Sequence, residues 1–146
     1  MIKKAQESDC AALAGMAHKM WTDAAESELR ADFESLACDD NAALFIKYAD
    51  DSPAAFAQCQ LRHDYVEGCV TSPVAYLEGI FVLEPYRKRG FAKELLSECE
   101  KWAKQKGCKE FASDCELSNI QSQNFHRAAG FAEANRIVCF KKVLEK

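Results

Sequence analysis

The spacing of hydrophobic residues changes along the chain, and each spacing predicts one kind of element. Apolar residues three and four apart predict helices over about 9–21, 25–38, 90–106 and 119–129. Alternating or continuous apolar runs predict strands at 1–5, 42–49, 54–65, 74–83 and 110–115, and a final strand or hairpin at 131–143. The resulting order, β-α-α-β-β-β-α-β-α-β, predicts an α/β (α+β) fold with a mixed sheet and helices on both faces.

A basic turn joins the most apolar strand to the most amphipathic helix. The strand contains one charged residue, Glu78, and the turn reads Arg87-Lys-Arg-Gly-Phe-Ala92. The first N–H groups of a helix have no internal partners, and Gly90 allows close approach of a ligand to the backbone. These properties are typical of a phosphate-binding turn. Neither a Walker loop nor a dinucleotide fingerprint is present, and a basic helix start without a ligand is the alternative.

Length and composition predict one domain over residues 1–146. The 146 residues are enough for a hydrophobic core, and 29% charged with 49% hydrophobic residues is ordinary for a globular protein. No apolar run is long enough to span a bilayer, and the first residues do not resemble a signal peptide. We therefore expect a cytoplasmic protein that does not bind membranes.

The eight cysteines require an interpretation. No pair has Cys-x-x-Cys spacing, which argues against a zinc site, and no export signal supports disulfides. Several occupy apolar positions of periodic segments, as small buried hydrophobic residues do. We expect reduced core cysteines and no metal, while a reactive thiol remains an alternative.

Charge is distributed unevenly along the chain. Residues 1–80 carry six basic and fourteen acidic residues, a net charge of −8, whereas residues 81–146 carry thirteen and nine, a net charge of +4. This division suits a cationic ligand for the first part and an anionic ligand for the second, although solvated surfaces of both signs would give the same counts. Nucleic acid is a poor partner for so acidic a first half.

Two motifs together resemble the GNAT superfamily of N-acetyltransferases. The first is Arg87-x-x-Gly90-x-Ala92, and the second is Asn119-x-x-Ser122 followed by the segment from Phe125 to Phe131. Segments 65–68, 71–82 and 110–114 further resemble the bacterial aminoglycoside 6′-N-acetyltransferases of type I. The resemblance covers most of residues 60–142 and implies a mostly antiparallel sheet and acetyl-CoA as co-substrate.

The resemblance also implies which residues bind each substrate. The backbone of Ile80, Phe81 and Val82 would bind the pantetheine arm, with the Val82 N–H polarising the acetyl carbonyl, and Asn119 would contact the same arm. The basic turn would bind the pyrophosphate through Arg87, Lys88, Arg89, Gly90, Phe91, Ala92 and Lys93. The aminoglycoside would contact Trp21, Tyr65, Glu78, Asp114 and Asn135. Some close relatives carry an acid where this chain has Asn135.

Three side chains are candidates for catalysis. Glu78 and Asp114 can position the substrate ammonium and take its proton, directly or through water. Alternatively, Glu78 pairs with a buried arginine, and Asp114 caps the end of a strand. His126 stands where many relatives have a tyrosine proposed to protonate the departing thiolate, and it is equally suited to a packing role.

The sequence therefore predicts acetyl transfer to the 6′-amine of an aminoglycoside by direct attack, with antibiotic resistance as the consequence. An acetyltransferase for another small amine or a protein N-terminus is one alternative, and a non-catalytic acyl-CoA sensor is another. We expect a homodimer, as in relatives.

Overall fold

A computed structural model describes residues 1–145 and contains one five-stranded sheet. Its strands follow each other in chain order: β1 (Ile2–Lys4), β2 (Ala42–Ala49), β3 (Ser52–Arg62), β4 (Val74–Val82) and β5 (Phe111–Ser113). The first three pairings are antiparallel and the last, between β4 and β5, is parallel. The prediction of a mixed, mostly antiparallel sheet is therefore confirmed.

Two compact units divide the chain, residues 1–114 and the residues from Cys115 onward. The first contains the whole sheet and three helices, α1 (Cys10–Met20), α2 (Glu26–Ala37) and α3 (Phe91–Gln105). Short 3₁₀ turns, Glu7–Asp9 and Glu84–Tyr86, precede α1 and α3. Both follow from polar and proline-containing sequences that the periodicity of hydrophobic residues does not resolve.

The helices of the first unit cover both faces of the sheet. Helices α1 and α2 pack with Ile46 and Phe56 in one core cluster. Helix α3 lies on the other face, where Glu94 pairs with Lys47 and the Cys99 thiol contacts that of Cys59. Neighbouring strand residues such as Ile46 and Lys47 point to opposite faces, which explains the two layers.

The cysteine prediction is correct for only some positions. Cys10, Cys59 and Cys99 are buried, and burial raises the pKa of Cys10. Cys38 and Cys139 are exposed, so the prediction that the cysteines belong to the core is wrong for these two. Cys38 is the C-cap residue of α2 and therefore lies beyond the helical turns that bury Leu29 and Phe33. All eight thiols are free.

A buried carboxylate fixes the start of α1. Asp9 is 4% exposed and accepts hydrogen bonds from the Tyr48 hydroxyl at 2.7 Å and the Gln6 N–H at 2.8 Å, with Lys3 Nζ at 3.1 Å. Burial alone would raise the pKa of Asp9, but these donors together lower it. The hydrogen bond to Asp9, together with burial, raises the pKa of Tyr48 to about 12.

Replacing Asp9 by asparagine is expected to lower the free energy of unfolding by about 1.5–3 kcal/mol at pH 7, the usual worth of hydrogen bonds to a charged group. Because the pKa of Asp9 is lower in the folded state, its contribution is complete above the unfolded-state pKa and disappears as the pH falls through the folded-state pKa. Urea unfolding of both proteins should therefore show a difference that shrinks toward pH 3. A difference independent of pH would contradict this account.

The second unit contains one helix, α4 (Ile120–Ala128), capped by Asn119. Gly130 follows it with φ near +99°. Residues 131–145 form no strand, so the prediction of a final strand or hairpin is wrong for this part of the chain. A strand pairs with a neighbouring strand, and the five-stranded sheet formed by residues 1–145 does not include this segment. Its large apolar side chains, including Ile137, Val138, Phe140 and Leu144, are exposed.

No helix within residues 1–145 is long and apolar enough to cross a membrane.

Candidate active site

A cleft of about 530 Å³ opens on the α1–α2 face of the sheet. Its walls come from the end of α1, from α2, and from strands β3 and β4. The polar side chains that line it are Asp32, Ser35, Gln58, Gln60 and Glu78, and its aromatic walls are Trp21 and Phe33. Two carboxylates and an indole make this a surface suited to an amino sugar, since ammonium groups bind carboxylates and aromatic faces.

Trp21 lies directly against strand β4. A Cβ at Gly79 would meet Trp21 Cζ2 and Cη2 at 2.8 Å, so only glycine permits this contact. The indole also packs edge-on against Phe56, with ring centroids 6.4 Å apart. Trp21 therefore forms one wall of the cleft while it is half-buried against the core.

Replacing Gly79 by alanine is expected to displace the Trp21 indole and to cost about 1–3 kcal/mol of stability, as for other overpacked sites. In a Trp102→Phe background Trp21 is the only tryptophan, so the emission reports on this residue alone. The emission maximum of Gly79→Ala should shift to longer wavelength, because the displaced indole is more exposed to water. Gly15→Ala is the matched control, since its added Cβ meets only Glu26 Oε2 at 3.9 Å. An unshifted emission maximum in Gly79→Ala would refute the contact.

A β-bulge directs Glu78 into the cleft. Gln58 pairs with Gly79 and Cys59 pairs with Leu77, which leaves Glu78 without an opposite residue on β3. Adjacent strand residues normally point to opposite faces, whereas here Glu78 lines the cleft and its neighbour Gly79 faces the Trp21 indole that also lines it. The bulge thus explains why an otherwise apolar strand tolerates a carboxylate at this position.

Arg62 holds the Glu78 carboxylate. Its Nη2 donates to both oxygens at 2.9 and 3.0 Å, and its Nε donates to Oε2 at 3.1 Å. The side chains are 43% and 20% exposed, respectively. The alternative that Glu78 pairs with an arginine is therefore correct, but that arginine is not buried. A carboxylate offers roughly four lone-pair sites, so Glu78 can still accept from a substrate.

Asp114 is connected to this pair through Tyr76. The Tyr76 hydroxyl donates a hydrogen bond to Asp114 Oδ2, and the Arg62 guanidinium carbon lies 3.4 Å from the Tyr76 ring centroid. Burial and the bond to Asp114 raise the pKa of Tyr76, so the phenol stays protonated as a donor. Glu78 and Asp114, both predicted from the sequence, are thus ends of one polar network.

The loop of residues 63–73 is fastened to the start of β5. Glu110 accepts from the N–H groups of Val70 and Thr71 at 2.9 and 2.8 Å and from the Thr71 hydroxyl. These donors, the hydroxyl first, lower the pKa of Glu110. Tyr65 in this loop is 76% exposed and does not line the cleft, so the structure does not bring it together with Trp21 and Glu78.

The basic turn has the geometry predicted for anion binding. Lys88 and Gly90 adopt left-handed conformations with φ of +64° and +80°, and α3 begins directly after Gly90 with no side-chain cap. The N–H groups of Phe91, Ala92 and Lys93 form the first turn of α3, where helix donors lack internal partners. Arg87 Nε donates to the Val82 carbonyl at 2.9 Å, which ties the turn to the end of β4.

Strand β4 continues beyond its pairing with β5. That pairing ends at Leu77, opposite Ser113. The Leu83 N–H donates to Ala54 on the β3 side. Along an antiparallel strand, successive backbone N–H groups point alternately to one neighbouring strand and to the other. The N–H group of Phe81 therefore points to β3, like that of Leu83, whereas those of Ile80 and Val82 point to the edge of β4 on the side of β5. This edge therefore offers donors to an extended ligand past the end of β5.

Three predicted site residues lie in the second unit. Asn119 Oδ1 accepts from the Ser122 N–H at 3.0 Å and caps α4. His126 is half-buried, with Nδ1 2.7 Å from the Ser122 carbonyl. A carbonyl only accepts, so Nδ1 carries a proton. Asn135 Oδ1 accepts from the Arg136 N–H at 2.8 Å.

Comparison with known proteins places these features in context. The model of the acetyltransferase (GNAT) family matches residues 10–131. The aminoglycoside N(6′)-acetyltransferase type 1 of Serratia marcescens is 43% identical over 126 residues, which is 86% of each chain. The aminoglycoside N-acetyltransferase AAC(6′)-Iy in complex with CoA has a TM-score of 0.94 at 39% identity, covering 97% of this chain and 93% of its own.

The same enzyme in complex with the bisubstrate analog CoA-S-monomethyl-acetylneamine has a TM-score of 0.93 at 38% identity, covering 98% of this chain and 97% of its own. Family match and relatives together confirm the resemblance predicted from the two motifs.

Proposed function

This chain belongs to the acetyltransferase (GNAT) family and, within it, to the aminoglycoside 6′-N-acetyltransferases of type 1, and we propose that it acetylates the 6′-amine of aminoglycosides with acetyl-CoA. One observation of the structure carries the proposal. Glu78 lies in a carboxylate-lined cleft on the same strand as Ile80 and Val82, whose N–H groups face the opposite edge from β3. A cation held by Glu78 is therefore close in sequence and space to donors for an acyl carbonyl.

The coenzyme-binding part consists of backbone donors and basic side chains. The first turn of α3 and the cations of Arg87, Lys88 and Arg89 would bind the pyrophosphate, since helix N-termini and arginines favour anions. The N–H groups of Ile80 and Val82 would hold the pantetheine arm, and Asn119 would contact it. Acetyl-CoA supplies a thioester whose carbonyl the Val82 N–H would polarise.

The acceptor part must deliver a neutral amine. An ammonium would first bind at Glu78 and Asp114, which stabilise its charge and fix its position. One of these carboxylates, or a water bound to it, would then take the proton, and the free amine would attack directly in the ternary complex. Trp21 would support the sugar ring. Tyr65 and Asn135 are further proposed acceptor contacts.

The departing thiolate requires a proton, and His126 is the proposed donor. Its Nδ1–H is already committed to the Ser122 carbonyl, so Nε2 would be the ring nitrogen that delivers the proton. Acetylation removes one positive charge from the aminoglycoside, which weakens its attraction to ribosomal RNA. Antibiotic resistance is the proposed consequence, in a cytoplasmic enzyme.

A homodimer is the proposed assembly. Residues 131–145 form no strand, yet their apolar side chains are exposed, with Phe140 91% and Leu144 88% accessible to solvent. Exposed apolar groups of this number favour burial against another chain. A second copy would supply an apolar surface that covers these side chains.

Coenzyme thiol release tests the proposal. Aminoglycosides that carry a 6′-amine are compared with otherwise similar compounds that carry a 6′-hydroxyl. We expect turnover with the amines only. Equal turnover with both, or thiol release that is independent of the acceptor, would refute the proposed regiochemistry, and coenzyme binding without any turnover would favour a sensor.

A further inference from the structure

Asp32 is the one carboxylate of the cleft that makes no ion pair or hydrogen bond to residues 1–145. Asp32 and Glu78 both line the cleft, from α2 and from β4 respectively. Both Glu78 oxygens accept from the Arg62 guanidinium. No such partner reaches the Asp32 side chain in the described chain, and the nearest arginine in sequence, Arg30, pairs with Glu34.

The charge of the cleft follows from these contacts. Arg62 compensates the charge of Glu78, so the uncompensated negative charge among the lining side chains belongs to Asp32. A cation that binds Glu78 must share it with the Arg62 guanidinium, whereas a cation that binds Asp32 competes with no side-chain partner among residues 1–145. Within the cleft, electrostatic attraction of an ammonium group is therefore strongest at Asp32, on the wall formed by α2.

We infer that Asp32 is a specificity-determining residue that binds a second ammonium group of the acceptor, remote from the amine that reacts. This inference rests on the proposed function. The two carboxylates come from different elements, Asp32 from α2 and Glu78 from β4, and a polycationic aminoglycoside has further ammonium groups to place besides the amine that reacts. Asp32 would thus select acceptors with several amines over sugars with one.

Steady-state kinetics of Asp32→Asn test this role with two acceptors. One is an aminoglycoside with amines on at least two rings, and the other is methyl 6-amino-6-deoxyglucoside, which carries a single amine. We expect KM for the aminoglycoside to rise about ten-fold with kcat little changed, as for the loss of one hydrogen-bonded charge pair. We expect kcat/KM for the single-amine sugar to stay unchanged.

Glu28→Gln is the matched control, because it removes the same charge from α2 at a residue that does not line the cleft. An unchanged aminoglycoside KM in Asp32→Asn would overturn the inference, as would an equal rise for both acceptors or an equal rise in Glu28→Gln. These outcomes leave the proposed function intact. A wild-type enzyme that acetylates no aminoglycoside would overturn both.

Discussion

Replacing Asp114 by asparagine is expected to lower kcat/KM for an aminoglycoside by about 10²–10⁴-fold, the usual contribution of a positioned general acid or base. Asparagine keeps an oxygen that can accept from the Tyr76 hydroxyl, so the polar network and the fold should persist. The loss would therefore report the missing charge and proton acceptor. Kinetics at saturating acetyl-CoA, with calorimetric titration of the coenzyme, separate the effect on turnover from that on binding.

Tyr76→Phe is the control for that experiment. It removes the hydrogen bond to Asp114 but keeps the carboxylate and the ring beneath Arg62. We expect it to reduce turnover far less than Asp114→Asn does. Full activity of Asp114→Asn would show that this carboxylate takes no part in the mechanism. A loss of coenzyme affinity as large as the loss of kcat/KM would assign Asp114 a structural role instead.

Replacing Phe56 by alanine is expected to lower the free energy of unfolding by about 3–5 kcal/mol, as for other large-to-small core substitutions. Phe56 is fully buried on β3, with ring centroids 5.8 Å from Phe33 and 6.5 Å from Phe81. It also supports Trp21. The cavity would therefore lie where α1 and α2 join the sheet, directly behind the cleft.

Urea unfolding measures this loss. Phe56→Leu should cost clearly less, because it keeps most of the apolar volume. Val70→Ala, at a side chain that is 93% exposed, should change the free energy by no more than about 0.5 kcal/mol. A Phe56→Ala protein as stable as the Val70→Ala protein would show that this aromatic cluster does not stabilise the fold.

Elements whose stability comes from a local pattern could be predicted from the sequence. Strand β2 was predicted at residues 42–49 and spans Ala42–Ala49, because its apolar run ends in clear turn residues on both sides. Helix α3 is equally well defined, since five of its residues form one buried stripe. The motif turn at Gly90 was predictable because its left-handed conformation favours glycine.

Features that depend on pairing between distant segments were not predictable. The bulge at Glu78 arises from the register of β3 against β4, which no local pattern encodes. Arg62 and Tyr76 were therefore missed as partners of the predicted carboxylates. The final strand failed for the same reason, since residues 131–143 have the composition of a strand without a partner for it within residues 1–145.

The family and its fold follow from the motifs and the comparisons. The roles of Trp21, Glu78, Asp114 and His126 remain predictions, which the structure supports to the extent that it connects Glu78 with Asp114 through Arg62 and Tyr76. The Asp114→Asn variant tests the role of Asp114 directly.

The position of the new acetyl group tests the central claim most directly. Two-dimensional NMR of the product, formed from an aminoglycoside with several amines and acetyl-CoA labelled with ¹³C in the acetyl group, correlates the acetyl carbonyl with its neighbouring protons. We predict a single amide, with correlations to the 6′ methylene protons. An acetyl group on any other amine, or a mixture of positional isomers, would contradict an acceptor site in which Glu78 and Asp114 present the 6′-amine to the edge of β4.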